Sequence, residues 1–376
     1  MDKVKSVVIR CLRKCKYIFL LTKQYARKII VAWIKEKIEV ANKADNPKIL
    51  QFPITYSCNF DCIMCGMKNL KGKKELQLDD YKRLFDSDLF EDVISVGVNG
   101  GEPFLKKDLT EIIQLLIERL PKLKGISIIS NGYFTNTILE KMAEIKALCE
   151  KNQINVNLSI SIDALGDRQD FHRGCRGAWA HATETLLELN KERELYCDSL
   201  GIICTITKEN VYNLFEIDAW AKQNNYIISY NIATINKRIQ NEDRFDQFSV
   251  MTDDHAKMCA REFLFSKFWE TKEEKYFGLF YYLCEGRRIA PCEFKRQGVS
   301  VTPNGELSFC ATYSEEVGNV AEKDARVVFE NGMAHRNSIC ELYCDNCSHY
   351  MYSLSSKGYL ELIKMLMREY TRPIHI

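Results

Sequence analysis

From residue 48 onward, β-type runs alternate with helical patterns, and that alternation restricts the chain to a parallel α/β architecture. The runs are Ile49–Thr55, Val93–Asn99, Ile126–Ser130, Val156–Ile162, Gly201–Thr207 and Ile227–Ile232. Helical patterns separate them at Asp79–Phe90, Leu109–Leu120, Thr135–Glu150, Ala178–Glu194 and Val211–Asn224. Six strands and five helices predict a partial (β/α)6 barrel of TIM type, open or partly closed. Such folds carry their chemistry at the C-terminal ends of the strands, so the residues just after each strand are the candidates for function.

The rest of the chain divides around this repeat. Residues 1–45 carry twelve Lys/Arg against four Asp/Glu, with apolar residues between the charges. No apolar run there approaches the roughly 20 residues of a spanning helix. The segment reads as a basic amphipathic helical extension, packed on the domain or lying on an anionic membrane surface. Residues 46–235 hold the strand–helix repeat, and 236–285 read as a helical connector. The segment 286–350 contains five cysteines and loses the alternation, and 351–376 form a closing helix. In the connector, Trp269, Tyr276, Phe277, Tyr281 and Tyr282 could shape a pocket, although aromatics at helical spacing more often form core. No secretory signal is visible, and a net charge of +2 gives no pull toward nucleic acid.

Sixteen cysteines in 376 residues require an explanation. The chain is long and 46% hydrophobic, unlike the short disulfide scaffolds, so soft-metal ligation in a reducing cytoplasm is the better reading. Cys58, Cys62 and Cys65 follow the first strand directly with spacing C-x3-C-x2-C. Three thiolates are one fewer than a closed [4Fe–4S] site takes, which leaves one iron open to another ligand. A zinc site recruiting a distant fourth ligand is the alternative. The spacing recurs at Cys340, Cys344 and Cys347, so position after strand one is what singles out the first triplet.

With the motifs that follow, residues 48–235 resemble the radical S-adenosylmethionine (SAM) superfamily. Asn99-Gly100-Gly101-Glu102-Pro103 after strand two resembles its GGEP segment, whose backbone and acidic residue receive the SAM amino group. Ser130-Asn131-Gly132 ends strand three as in many members. Ser161 and Asp163 at the end of strand four resemble an S-x-D that helps to hold SAM. Asp170-Phe171-His172-Arg173-Gly174 resembles D-x-x-R-G, with Arg173 as partner of the SAM carboxylate. Thr205 ends strand five, where the family packs adenine. The usual aromatic before the third cysteine is here Met64. The resemblance implies a [4Fe–4S] cluster on Cys58, Cys62 and Cys65 that binds SAM and cleaves it to a 5′-deoxyadenosyl radical.

Cys292, Gly305 and Cys310 give C-x12-G-x4-C, with a hairpin turn at Asn304-Gly305. Cys344 and Cys347 add C-x2-C. Together they resemble the auxiliary-cluster extensions called SPASM and twitch, the single-cluster twitch form fitting better. That implies a second [4Fe–4S] cluster on Cys292, Cys310, Cys344 and Cys347, with Cys340 either replacing one of them or spare. A structural zinc site with four cysteine ligands is the alternative. No histidine is assigned a role, and no catalytic acid or base is identified.

The layout is similar to that of an aminocyclitol dehydrogenase with one auxiliary cluster. The first expectation is therefore an oxidoreductase or epimerase acting on a carbohydrate-like small molecule. The second is modification of a ribosomal peptide, against which the absence of an N-terminal winged-helix domain counts. The third is a non-catalytic cluster scaffold or electron-transfer protein. Either enzyme would draw electrons from an external one-electron reductant such as flavodoxin or ferredoxin.

Overall fold

The computed structural model describes residues 20, 23–37, 46–349 and 351–371, with side chains through 368. The expected extension at 1–45 therefore lies largely outside the described residues. The chain forms two units.

The larger unit comprises 44–263 and 292–350 and contains one nine-stranded sheet, ordered β6-β5-β4-β3-β2-β1-β7-β8-β9. Its first six strands are β1 (Ile49–Pro53), β2 (Ser95–Asn99), β3 (Gly125–Ser130), β4 (Asn155–Ser161), β5 (Ser199–Ile206) and β6 (Ile227–Ile232). All six run parallel. Apolar residues at alternate positions make each strand stick to its layer: Leu50 and Phe52, Val96 and Val98, Ile126 and Ile128, and Val156, Leu158 and Ile160 are all essentially inaccessible. Helices such as Leu109–Arg119 and Thr135–Lys151 cover these strands with Ile112, Leu116, Ile138, Met142 and Ile145. The sheet is an open, partial barrel.

The helical expectations hold with three breaks, one of them a 3-10 turn at Val211–Asn213 ahead of the helix Leu214–Gln223. The run 79–90 is a helix at Leu78–Phe85 followed by a 3-10 turn at Asp88–Phe90, where the Ser87 side chain accepts from the Leu89 N–H and starts a new turn. The run 178–194 is a helix at Ala178–Lys191 followed by a short one at Arg193–Tyr196.

The cysteine-rich segment continues the same sheet. β7 (Gly298–Val301) pairs parallel with β1, placing Ile49 opposite Gly298 and Gln51 opposite Ser300. β8 (Glu306–Ser308) returns antiparallel through the Asn304-Gly305 turn, and β9 (Gly318–Asn319) follows it. Without β7, β1 would expose a row of unpaired backbone groups.

The smaller unit comprises residues through 43, 264–291 and 351 onward. Its described helices are residues 23–37, part of Asp254–Thr271, Glu274–Glu285 and Ser356–Thr371. Glu36 accepts the Ser356 N–H at 2.6 Å and its hydroxyl at 2.8 Å, supplying a carboxylate at the start of the last helix. Lys28 and the Tyr359 hydroxyl meet on Glu274, each at 2.6 Å. Tyr276 and Phe277 are buried, and Phe277 packs against Phe268, Phe280 and Tyr281, so this part of the aromatic stripe is core. No described helix is long and apolar enough to cross a membrane.

Candidate cluster and SAM site

The loop after β1 is held in place by backbone. Glu75 accepts from the Thr55 hydroxyl at 2.8 Å and the Tyr56 N–H at 2.7 Å, and pairs with Lys106 at 3.2 Å. The N–H groups of Gly101 and Glu102 donate to the carbonyls of Thr55 (2.7 Å) and Ser57 (2.8 Å). That approach requires glycine: a Cβ on Gly101 would lie 2.1 Å from the Ser57 carbonyl oxygen. On the other side, Asp61 and Ile63 donate to the carbonyls of Arg173 (3.2 Å) and His172 (3.1 Å). Gly174, at φ 59°, leaves no room for a Cβ, which would sit 2.2 Å from the Asp61 carbonyl oxygen. The two glycine motifs of the sequence thus clamp the cysteine loop between them.

Within this clamp each sulfur receives one N–H donor. Phe60 N–H donates to Cys58 Sγ at 3.4 Å, Met67 N–H to Cys65 Sγ at 3.4 Å, and the Arg173 guanidinium to Cys62 Sγ at 3.8 Å. Burial pushes the Cys58 thiol up to about 11 and the Cys62 thiol up to about 12, and raises that of Cys65. Left alone these groups stay protonated; a bound metal displaces the protons. Among the described residues no three His, Cys, Asp or Glu side chains converge as ligands of one metal ion would. A four-iron cluster places each thiolate on a different iron and needs no such convergence. Donors on all three sulfurs, at the C-terminal edge of a parallel sheet, fit a cluster.

Around the loop lie the other expected residues. Glu102 is buried and ties β2 to β3: one oxygen accepts from Ser130 Oγ at 2.9 Å and Phe104 N–H at 3.2 Å, the other from Asn131 N–H at 2.7 Å. Burial raises its carboxyl to about 7 against those hydrogen bonds. Asn131 also donates to Asn59 Oδ1 at 2.8 Å, while Asn59 Nδ2 and Asn99 Oδ1 are buried without partners. Asp163 is fully buried. Its Oδ1 accepts the Thr205 N–H at 2.7 Å, and its Oδ2 lies 2.7 Å from Arg173 Nη2 and 3.1 Å from His172 Nδ1. Burial opposes ionisation of Asp163, but Arg173 and His172 outweigh it and hold the carboxyl below its usual range. Arg173 therefore reaches both Asp163 and Cys62, with its Nε buried and unpartnered. Buried orphan groups of Asn59, Asn99 and Arg173 beside one loop are what a polar cofactor such as SAM would satisfy. Pro103 starts a 3-10 turn, and the Ser161 carbonyl accepts from Gln169 Nε2 at 3.0 Å.

Sequence reasoning missed three parts of this network. His172, given no role, bridges Asp163 and the Thr207 hydroxyl, the latter at 2.9 Å. Gln169 accepts from the N–H groups of Asp163 (2.9 Å) and Ala164 (3.0 Å). Asn210 donates to the carbonyls of Asp163 (2.9 Å) and Thr205 (2.8 Å). The D-x-x-R-G stretch, on the helix Asp167–Arg173, was the available signal for His172, and Gln169 sits one residue before it.

The C-terminal cysteines are arranged similarly. Tyr313 N–H donates to Cys310 Sγ and His349 N–H to Cys347 Sγ, each at 3.4 Å. The Tyr313 ring stacks on Tyr343, the residue before Cys344, with centroids 4.8 Å apart. Cys344 lies within electrostatic reach of Cys340 and Cys292. Cys340 Sγ sits 3.7 Å from the Lys295 carbonyl oxygen, while the Cys344 side chain and the cations Lys295, Arg336 and Arg296 hold its thiol down to about 6.

Residues 52–217 match the model of the radical SAM superfamily. This segment matches that superfamily, whose cofactors are a [4Fe–4S] cluster and SAM. The chain is 20% identical over 303 residues to the antilisterial bacteriocin subtilosin biosynthesis protein AlbA of Bacillus subtilis, covering 79% of this chain and 62% of AlbA. It is 32% identical over 133 residues to GTP 3′,8-cyclase of Aquifex aeolicus, covering 31% of this chain and 40% of the cyclase. The chain thus spans less than two thirds of either relative. Streptococcus suis SuiB bound to precursor peptide SuiA aligns with TM-score 0.53 and 17% identity, over 81% of this chain and 68% of SuiB. The structure of anSMEcpe with AdoMet and Cp18Cys peptide aligns with TM-score 0.55 and 15% identity, over 85% and 98%. At those identities the likeness establishes the fold.

Proposed function

We propose that this chain is a radical SAM enzyme that modifies a peptide. The clamped loop carrying Cys58, Cys62 and Cys65, with an N–H donor on every sulfur, carries the reading. These three cysteines hold the first cluster. Asn99, Gly100, Gly101, Glu102, Ser130, Asn131, Ser161, Asp163, Arg173 and Thr205 surround the SAM site, and Pro103 shapes the turn that presents Glu102. When bound, the cluster supplies one-electron cleavage of a carbon–sulfur bond of SAM, giving methionine and, after a hydrogen is taken from a substrate carbon, 5′-deoxyadenosine. Asp163 and His172 fix Arg173 beside Cys62, and Glu102 fixes the ends of β2 and β3. Cys292, Cys310, Cys344 and Cys347 hold a second cluster, with Cys340 either replacing one of them or spare. An external one-electron donor of flavodoxin or ferredoxin type supplies the electron.

The peptide reading is supported by the relatives: AlbA is a bacteriocin biosynthesis protein, and SuiB and anSMEcpe have been solved with peptides bound. The carbohydrate reading has no comparable support from them. The test is 5′-deoxyadenosine release by the reconstituted enzyme in the presence of unstructured peptides, or of aminocyclitols and hexoses. Stimulation by peptides, with deuterium passing from labelled peptide into deoxyadenosine, is the expected result. Stimulation by the sugars alone would overturn it.

Membrane contact is the second element. On the helix at 23–37, Ile30, Val31, Trp33 and Ile34 are exposed, with Trp33 at 53%. Lys23, Arg27, Lys28, Lys35 and Lys37 share that helix with one acidic residue, Glu36. Exposed apolar residues, a tryptophan and an excess of cations suit an anionic bilayer surface. The full chain is expected to float with phosphatidylglycerol vesicles and not with phosphatidylcholine. Trp33→Glu/Ile34→Glu should abolish flotation, and equal flotation of this variant would remove the assignment.

A further inference from the structure

We infer that Arg336 is a positioning residue of the second cluster, a buried cation built in as its counter-charge that sets the potential at which the cluster accepts an electron. This rests on the reading of the C-terminal cysteines as cluster ligands.

Arg336 lies on the helix Met333–Leu342, the helix that carries Cys340, and is only 4% exposed. Its Nε donates to the Lys295 carbonyl at 3.0 Å, and Lys295 N–H donates in turn to the Cys292 carbonyl at 3.0 Å. The guanidinium sits over the Phe309 ring at 5.4 Å and the Phe329 ring at 6.0 Å, Phe309 being the neighbour of Cys310. Cys340 and Cys344 are the groups that favour its charge. One side chain thus touches the surroundings of four cysteines brought from three separate stretches.

Its terminal nitrogens make the case. Arg336 Nη1 and Nη2 are both buried and have no hydrogen-bond partner. Among the described residues no carboxylate pairs with it. Nearby Arg296 has a buried, unpartnered Nη1 of its own and acts against the Arg336 charge. A guanidinium cannot shed its proton in practice, so burying one with two idle donors, close to another cation, is strongly unfavourable without an anion. Four thiolates around an iron–sulfur cluster supply that anion. Hydrogen bonds and charge near such a cluster are among the levers on its reduction potential. A positive charge favours the reduced, more negative state.

The experiment uses the full chain with Cys58, Cys62 and Cys65 replaced by alanine, so that only the second cluster can load. Iron, sulfide and the midpoint potential from an EPR-monitored redox titration are compared for Arg336, Arg336→Met and Arg336→Lys. We expect about four irons per chain, a more negative midpoint in Arg336→Met, and a return toward the parent value in Arg336→Lys. An unmoved midpoint with iron retained would overturn the inference while leaving the second cluster standing. Absence of iron in the parent would overturn both. If Arg336→Met does not load, Arg296→Met tests the same field, with a smaller negative shift expected and no shift counting against it.

Discussion

Replacing Cys58, Cys62 and Cys65 together with alanine is expected to abolish 5′-deoxyadenosine formation while leaving the sheet folded. Anaerobically reconstituted wild-type protein should bind about eight irons per chain and the variant about four, because two four-iron clusters become one. The expectation follows from the clamp. The backbone bonds that hold this loop run from Gly101, Glu102, Asp61 and Ile63 to main-chain carbonyls, so none depends on a sulfur. Removing the thiols removes the proposed ligands without removing the loop. Iron content and deoxyadenosine yield under dithionite decide the matter. A variant that keeps all of its iron, or still cleaves SAM, would show that these cysteines are not the ligands. Loss of all iron would instead speak against the second cluster.

The second large effect is on stability. Asp163→Ala leaves Arg173 buried beside His172 without the carboxylate that both face. Breaking a buried ion pair by removing one partner costs about 3–5 kcal/mol, so the urea midpoint of the iron-free protein at pH 7 should fall sharply. The sign with pH follows from Asp163. Its folded carboxyl is held below the ordinary value of about 3.9. A depressed carboxyl contributes stability that is present above the unfolded value and lost as pH falls through the folded one. The gap between wild type and Asp163→Ala should therefore be full at pH 7 and narrow below about pH 4. A gap that does not change with pH would mean that the loss comes from packing alone.

What could be read from the chain and what could not separate along physical lines. The six parallel strands were legible because Leu50 and Phe52, or Val156, Leu158 and Ile160, alternate with residues that face the other side, and a period of two needs no knowledge of distant contacts. The first cysteine triplet and the GGEP-like segment were legible because they are local motifs at strand ends, and Arg173 because it closes the local D-x-x-R-G pattern. β7 was read as one arm of a hairpin, and nothing local announces that Gly298–Val301 lies beside β1; such pairing depends on a strand edge far away in sequence. His172 and Asn210 were missed for the same reason. A histidine on a short helix declares nothing until the fold sets Asp163 on one side of it and Thr207 on the other. The breaks at residues 86–87 and 192 came from local turn bonding that periodicity does not record.

The pairing of β1 with β7 bears on the order in which the molecule is built. A chain leaves the ribosome from its N-terminus, so Cys58, Cys62 and Cys65 emerge early. Yet β1 keeps an open side until Gly298–Val301 has been made. The Leu76 N–H, just past the first cysteine loop, waits for the Pro303 carbonyl, and the Tyr56 hydroxyl waits for Asn304. The cradle around the first three sulfurs is therefore finished only once residues 298–304 have been made. Iron delivered before that point would meet thiols on an unfinished ledge, so the topology itself makes insertion of the metal a late event in the life of each molecule.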